Sequence, residues 1–133
     1  MNRTARTLTA PLLATLLAGS VLISAPALAG DDDNEVLREG SCSGRTDWKV
    51  KAKTDDGGLE FEGEIDSNRS GQTWRWRIVH NGSITERGRS TTGGRSGSFD
   101  VERKLPNRAG TDSFVFRAVH RATGEVCRGT LAY

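Results

Sequence analysis

Two histidines, two cysteines, one tyrosine and one methionine are all that this chain of 133 residues holds of those types. Each scarcity closes off a class of chemistry. Two sulfurs with no His or Cys beside them make a poor ligand set for zinc. Catalysis needs a nucleophile, a base and a group to orient it, or a metal, and no such constellation can be assembled from His80 and His120. Helical periodicity is missing beyond residue 29, and no later apolar run is long enough to span a bilayer.

The first 29 residues stand apart. Arg3 and Arg6 precede an apolar run through Leu12, Leu16, Val21 and Ile23, and Ala27-Leu28-Ala29 ends it before Gly30. This is the three-part form of a secretory signal with small residues at the cleavage point, and Ser20, Ser24 and Pro26 interrupt the run too early for a membrane anchor. The expected mature chain begins at Gly30 and is secreted. A flexible acidic leader is expected over residues 30–40 and one β-domain over 41–133, with no transmembrane segment.

Removing residues 1–29 lowers Lys+Arg from 19 to 17 against 17 Asp+Glu, so the mature chain is formally neutral and no nucleic-acid partner is expected. The charge is nonetheless uneven. Residues 30–66 carry twelve acids and five bases; residues 67–133 carry five acids and twelve bases. Either the halves neutralise each other within one fold, or the molecule is polar with one basic face.

Cys42 and Cys127 lie near the two ends of the mature chain, and in an oxidising compartment they are expected to pair. The bond would tie the first strand to the last.

Seven strands are legible. The first hairpin runs from Trp48 to Asp66 across Asp55-Asp56-Gly57-Gly58. In its natural register Lys53, Lys51 and Lys49 face Glu60, Glu62 and Glu64 on one side, while Ala52, Val50 and Trp48 face Phe61, Gly63 and Ile65 on the other. Thr73-Trp74-Arg75-Trp76-Arg77-Ile78-Val79 follows with strict alternation, placing the tryptophans in the core and the arginines outside. At Asn81-Gly82 a three-residue loop setting Ile78 against Ile84 is expected, because it keeps both apolar side chains on one face. An edge strand over 84–91, a strand from Phe99 to Leu105, a sixth through Phe114, Phe116 and Ala118, and a last through Cys127 and Leu131 complete the set.

Seven strands, a Trp on the third, and Asp112-Ser113-Phe114-Val115-Phe116 entering the sixth resemble an immunoglobulin-like or fibronectin-III-like sandwich. Phe61 and Phe116 stand where immunoglobulin cysteines would be. The chain is also similar to short exported proteins of high-GC Gram-positive bacteria, through Cys42-Ser43-Gly44, Asp66-Ser67-Asn68-Arg69, Asn107-Arg108-Ala109-Gly110-Thr111 and Gly124-Glu125-Val126-Cys127. That similarity implies export and a disulfide and carries over no functional residue.

Paired carboxylates at Asp55-Asp56 and along Glu60, Glu62 and Glu64 read as a turn and a lysine-paired ladder, not a glycosidase pair. Gly93-Gly94 has no helix behind it and is no phosphate loop. His80 and His120 are expected as exposed turn residues at opposite poles. Two arginine groupings remain. The sandwich topology gathers Arg69, Arg95 and Arg121 on three connections at one pole, where guanidinium groups suit phosphate, sulfate or uronate. Arg75, Arg77, Arg117 and Arg128 share an outer face with Val79, Val115, Val119 and Val126, a surface suited to a protein partner. The sequence thus points to an exported, cofactor-free, non-enzymatic binding module for an anionic envelope polymer, the alternative being an interaction or inhibitor domain that uses the Val/Arg face.

Overall fold

The computed structural model describes residues 34–133; the signal peptide expected over 1–29 and the first residues of the expected leader lie outside them. Eight strands follow one another: β1 Glu35–Ser41, β2 Asp47–Asp55, β3 Gly58–Asp66, β4 Thr73–His80, β5 Ser83–Thr91, β6 Ser98–Leu105, β7 Ser113–His120 and β8 Val126–Ala132. They form two four-stranded antiparallel sheets, in the orders β1-β2-β3-β6 and β5-β4-β7-β8. The expected seven strands become eight because the segment read as a leader pairs with β2, Val36 opposite Ala52 and Leu37 opposite Lys51. Its sequence gave no sign of this because an edge strand with five of seven residues exposed needs little apolar surface of its own.

The β2–β3 hairpin has the expected register throughout, Thr54 opposite Leu59 down to Trp48 opposite Ile65. Its turn residues Asp56 and Gly57 take φ of 48° and 80°, the left-handed pair that a two-residue turn requires. The charged ladder closes as ion pairs, Lys49 to Glu64 at 2.5 Å, Lys51 to Glu62 at 2.8 Å and Lys53 to Glu60 at 2.9 Å. Hydrogen bonding to Glu64, Glu62 and Glu60 raises the respective lysine pKa values.

The β4–β5 hairpin departs from expectation. Asn81 and Gly82 alone form the turn, with φ of 47° and 80°, so His80 faces Ser83 and Val79 faces Ile84; a bulge then sets Ile78 against Glu86. Asn81 explains the choice. Its backbone N–H donates to Ser113 O at 2.9 Å and its side-chain oxygen accepts from Ser113 N–H at 2.8 Å, fixing it as the first turn residue. Ile78 stays fully buried while Ile84 goes to the outer face, 46% exposed. The bulge absorbs the one-residue difference.

Between the sheets lie Val50, Ala52, Leu59, Phe61, Ile65 and Val101 from one side and Trp74, Trp76, Ile78, Phe114, Phe116, Ala118, Cys127 and Leu131 from the other. The two tryptophans are in this core, as their alternation predicts. Phe61 stacks on Phe114 across the layers with ring centroids 4.9 Å apart. Phe116 lies over Gly63 of the facing sheet, and Trp48 lies over Gly129 in the reverse sense. Cys42, just after β1, is bonded to Cys127 on β8. Arg103 stacks over Trp76 at 5.4 Å and pairs with Glu86 at 3.3 Å, linking β6 to β5.

Candidate functional site

Strand alternation sends every second residue of β4 away from the core, and these are Thr73, Arg75, Arg77 and Val79. Antiparallel pairing extends the same face sideways. Arg77 stands opposite Arg87 on β5 and Arg117 on β7, and Arg117 stands opposite Arg128 on β8. The result is a row of four arginines crossing all four strands, Arg87-Arg77-Arg117-Arg128, at an interstrand step of about 4.8 Å. A second row runs Arg89-Arg75-Val119-Val126, and Ile84-Val79-Val115 borders the first on its other side. The expected face of Arg75, Arg77, Arg117 and Arg128 is thus brought together whole.

No acid occurs in these rows, and none of the six arginines has an ion pair among the described residues. Like charges directly opposite each other across strands are destabilising. A shallow groove of about 590 Å³ lies among Arg75, Arg77, Arg87, Arg89 and Arg117, with Ile84 and Val119 on its wall.

The far face of the sandwich has the opposite sign. The outward residues of β1, β2, β3 and β6 include ten acids (Glu35, Glu39, Asp47, Asp55, Glu60, Glu62, Glu64, Asp66, Asp100 and Glu102) against Lys49, Lys51, Lys53 and Lys104. The charge asymmetry along the sequence becomes an asymmetry across the domain, because the acidic half supplies most of one sheet and the basic half all of the other. Of the two readings open at the sequence level, the polar molecule with one basic face is the one observed.

The pole expected to gather Arg69, Arg95 and Arg121 does gather their loops. Ser67 N–H donates to Gly97 O at 3.0 Å, Ser70 Oγ to Gly94 O at 2.6 Å, and Arg121 N–H to Thr73 O at 3.0 Å. All three arginines are exposed. A cleft of about 530 Å³ opens there, lined by Arg69 with Arg45, Gln72, His120 and Glu125; Arg95 and Arg121 stand outside it. Arg45 reaches this pole because the disulfide and the Thr46 N–H bond to Glu125 at 3.0 Å hold the β1–β2 connection against β8. The Glu125 carboxylate makes the cleft mixed in sign, unlike the arginine face.

The histidines correct their expectation. Both are buried, His80 to 3% and His120 to 6% exposure. His80 Nε2 is bonded to Asp112 Oδ1, and the same carboxylate accepts from Asn81 Nδ2 and from Arg108 N–H, each at 3.0 Å. Burial works to raise the Asp112 pKa, and the hydrogen bonds from His80, Arg108 and Asn81 outweigh it and hold it below the usual carboxylate range. His80 also stacks on Phe114 at 4.5 Å. With both side chains 1% exposed, the pair joins the β4–β5 turn to the β6–β7 loop and is out of a substrate's reach. His120 stacks on Trp74 at 5.0 Å and its Nδ1 is 2.9 Å from Thr123 Oγ1. The two imidazoles sit at opposite ends of the β4–β7 pair, as expected, since Trp74 faces His120 and His80 faces Phe114.

Arg87 and Arg89 belong to the basic face and escaped the sequence reading. Alternation on β5 was the signal for them, since the three-residue register expected at Asn81-Gly82 already puts both on the side of Arg75 and Arg77, and the bulge restores that facing after the two-residue turn. Comparison of the chain with protein-family models, curated proteins and solved structures finds no match in any of the three.

Proposed function

We propose that this protein is an exported, non-enzymatic binding module that holds an anionic envelope polymer on the outer face of its β5-β4-β7-β8 sheet. The observation that carries this reading is the row Arg87-Arg77-Arg117-Arg128, four guanidinium groups side by side with no acid among them. A fold keeps like charges opposite one another at a cost to its stability, and a ligand of opposite charge removes that cost on binding. Guanidinium groups bind phosphate, sulfate and carboxylate through paired, charge-assisted hydrogen bonds. A row repeating at about 4.8 Å along one axis and about 6.8 Å along the other presents such donors to a chain of anions.

The pole continues this surface. Arg121 leaves β7 beside Thr73, whose own strand carries Arg75 and Arg77, so the loops of Arg69 and Arg95 extend the basic track past the sheet's end. The strand order supports reading the domain as an immunoglobulin-like or fibronectin-III-like sandwich with one added strand at its N-terminal edge. Export is supported by the disulfide and by the form of residues 1–29.

Columns of dextran sulfate, polyuronate and polyphosphate test the reading. The protein should be retained on at least one and released by about 0.5 M salt, where the screening length falls to a few ångströms. Substituting Arg77→Gln, Arg117→Gln and Arg128→Gln together should release it at much lower salt, and Arg69→Ala, Arg95→Ala and Arg121→Ala together should have a smaller effect. Unchanged retention of the first triple variant sinks the proposal.

A further inference from the structure

We infer that the two outer faces of the sandwich are docking surfaces for each other, so that copies of this chain stack head to tail at low ionic strength. The inference shares the arginine face with the reading above but stands without the polymer. Three observations meet.

The first is charge. Six carboxylates on the outer face of the β1-β2-β3-β6 sheet, Glu35, Glu39, Asp47, Asp66, Asp100 and Glu102, have no ion pair among the described residues, because Lys49, Lys51 and Lys53 are taken by β3 glutamates and Lys104 by Asp55. Six arginines with no ion pair among the described residues stand on the opposite face. Each face repels its own kind, so two copies cannot meet arginine to arginine, and each attracts the other.

The second is geometry. Both faces are four strands wide with the same repeat, about 4.8 Å across strands and about 6.8 Å along them, and sheets pack face to face at about 10 Å. Rows of guanidinium groups on one copy therefore meet rows of carboxylates on the next with a common spacing.

The third is apolar. Among the described residues the two exposed large hydrophobic side chains are Leu37, 43% exposed, and Ile84, 46% exposed. One lies on each of these faces, Leu37 opposite Lys51 on the acidic side and Ile84 opposite Val79 on the basic side. Each has an apolar contact to gain from a copy docked there.

A face of this size is on the order of 500 Å² in plan, at the small end of specific interfaces, so the association is weak and governed by salt. The contact joins unlike surfaces and does not close, so it propagates as an open stack. A polyanion on the arginine face competes with it, which would make polymer capture and self-assembly exclusive states.

Sedimentation velocity of the purified protein over a range of concentration tests this. At about 20 mM salt the mean mass should grow with concentration, and at about 0.5 M the protein should be monomeric. The variant R77Q/R117Q/R128Q and the variant E39Q/D100N/E102Q should each be monomeric alone. Mixed together they should form a one-to-one complex and stop there, because each keeps the face that the other has lost. The acidic-face variant should keep its retention on whichever anionic column holds the parent protein, which separates failure of this inference from failure of the polymer reading. A monomer under every condition, a closed dimer, association that survives in the acidic-face variant, or no complex between the two variants overturns it.

Discussion

Arg77 and Arg117 stand directly opposite each other on β4 and β7, with Arg87 flanking the first and Arg128 the second. No acid lies in the row, so the fold carries this repulsion in the absence of a ligand. Replacing Arg117 by Thr, a good strand former, should raise urea stability by up to about 1 kcal/mol while weakening retention on an anionic column. Gain of stability with loss of binding is the pattern of a residue kept for function. A destabilised Arg117→Thr variant would show that its half-buried stem packs more than its charge repels.

The Asp112 carboxylate gives the domain an acid limit. Its folded-state pKa lies below the usual value, because the hydrogen bonds from His80, Arg108 and Asn81 outweigh its burial. A depressed carboxyl contributes stability that is whole above the unfolded value, about 3.9, and drains away as pH falls toward the folded one. Urea midpoints between pH 5 and pH 3 should therefore fall more steeply for the parent than for Asp112→Asn. At neutral pH that variant should be less stable by about 1–3 kcal/mol, since its partners stay buried with a poorer acceptor. Parallel pH slopes for the two proteins would remove Asp112 from this role.

The bond between Cys42 and Cys127 closes a separation of 85 residues. In the chain-entropy account a loop of that length stabilises by about 4–5 kcal/mol, an upper figure. Reduction should lower the urea midpoint by a corresponding amount and free the β1–β2 connection that brings Arg45 to the pole. Thiol titration of the unreduced, unfolded protein should find no free sulfhydryl; any stoichiometric thiol contradicts the pairing.

Gly63 is held by close packing. A Cβ there would come within 2.7 Å of the Phe116 ring, which fills the space between the sheets. Gly63→Ala should cost about 1–3 kcal/mol, because the ring can yield only by leaving its rotamer or parting the layers. Gly57→Ala makes a useful contrast, since nothing lies within 4 Å of its Cβ position and its cost arises from φ of 80° alone. If Gly63→Ala melts with the parent, the two sheets are less tightly coupled than this contact implies.

The β2–β3 hairpin was legible to the residue because its information is local. A period of two, a lysine-glutamate ladder and an Asp-Gly turn all select one register, and a slip of one residue would turn every apolar side chain outward. The tryptophans of β4 were legible for the same reason. The Asn81-Gly82 hairpin misled because the apolar match of Ile78 with Ile84 competed with an anchor that has no local trace, the bonds from Asn81 to Ser113 some thirty residues onward. β1 was hidden because an edge strand borrows its order from a neighbour.

Sequence alone determined the strand alternation, the hairpin chemistry, the single disulfide pairing and the existence of two halves of opposite charge, all of which follow from nearest neighbours or from counting. Tertiary structure alone decided that the halves become opposite faces, that His80 and Asp112 meet under Phe114, and that arginines from four strands fall into one row. Those relations depend on which strands lie side by side, and strand order is set by how two apolar faces close over one another, a cooperative choice that no short stretch of chain records.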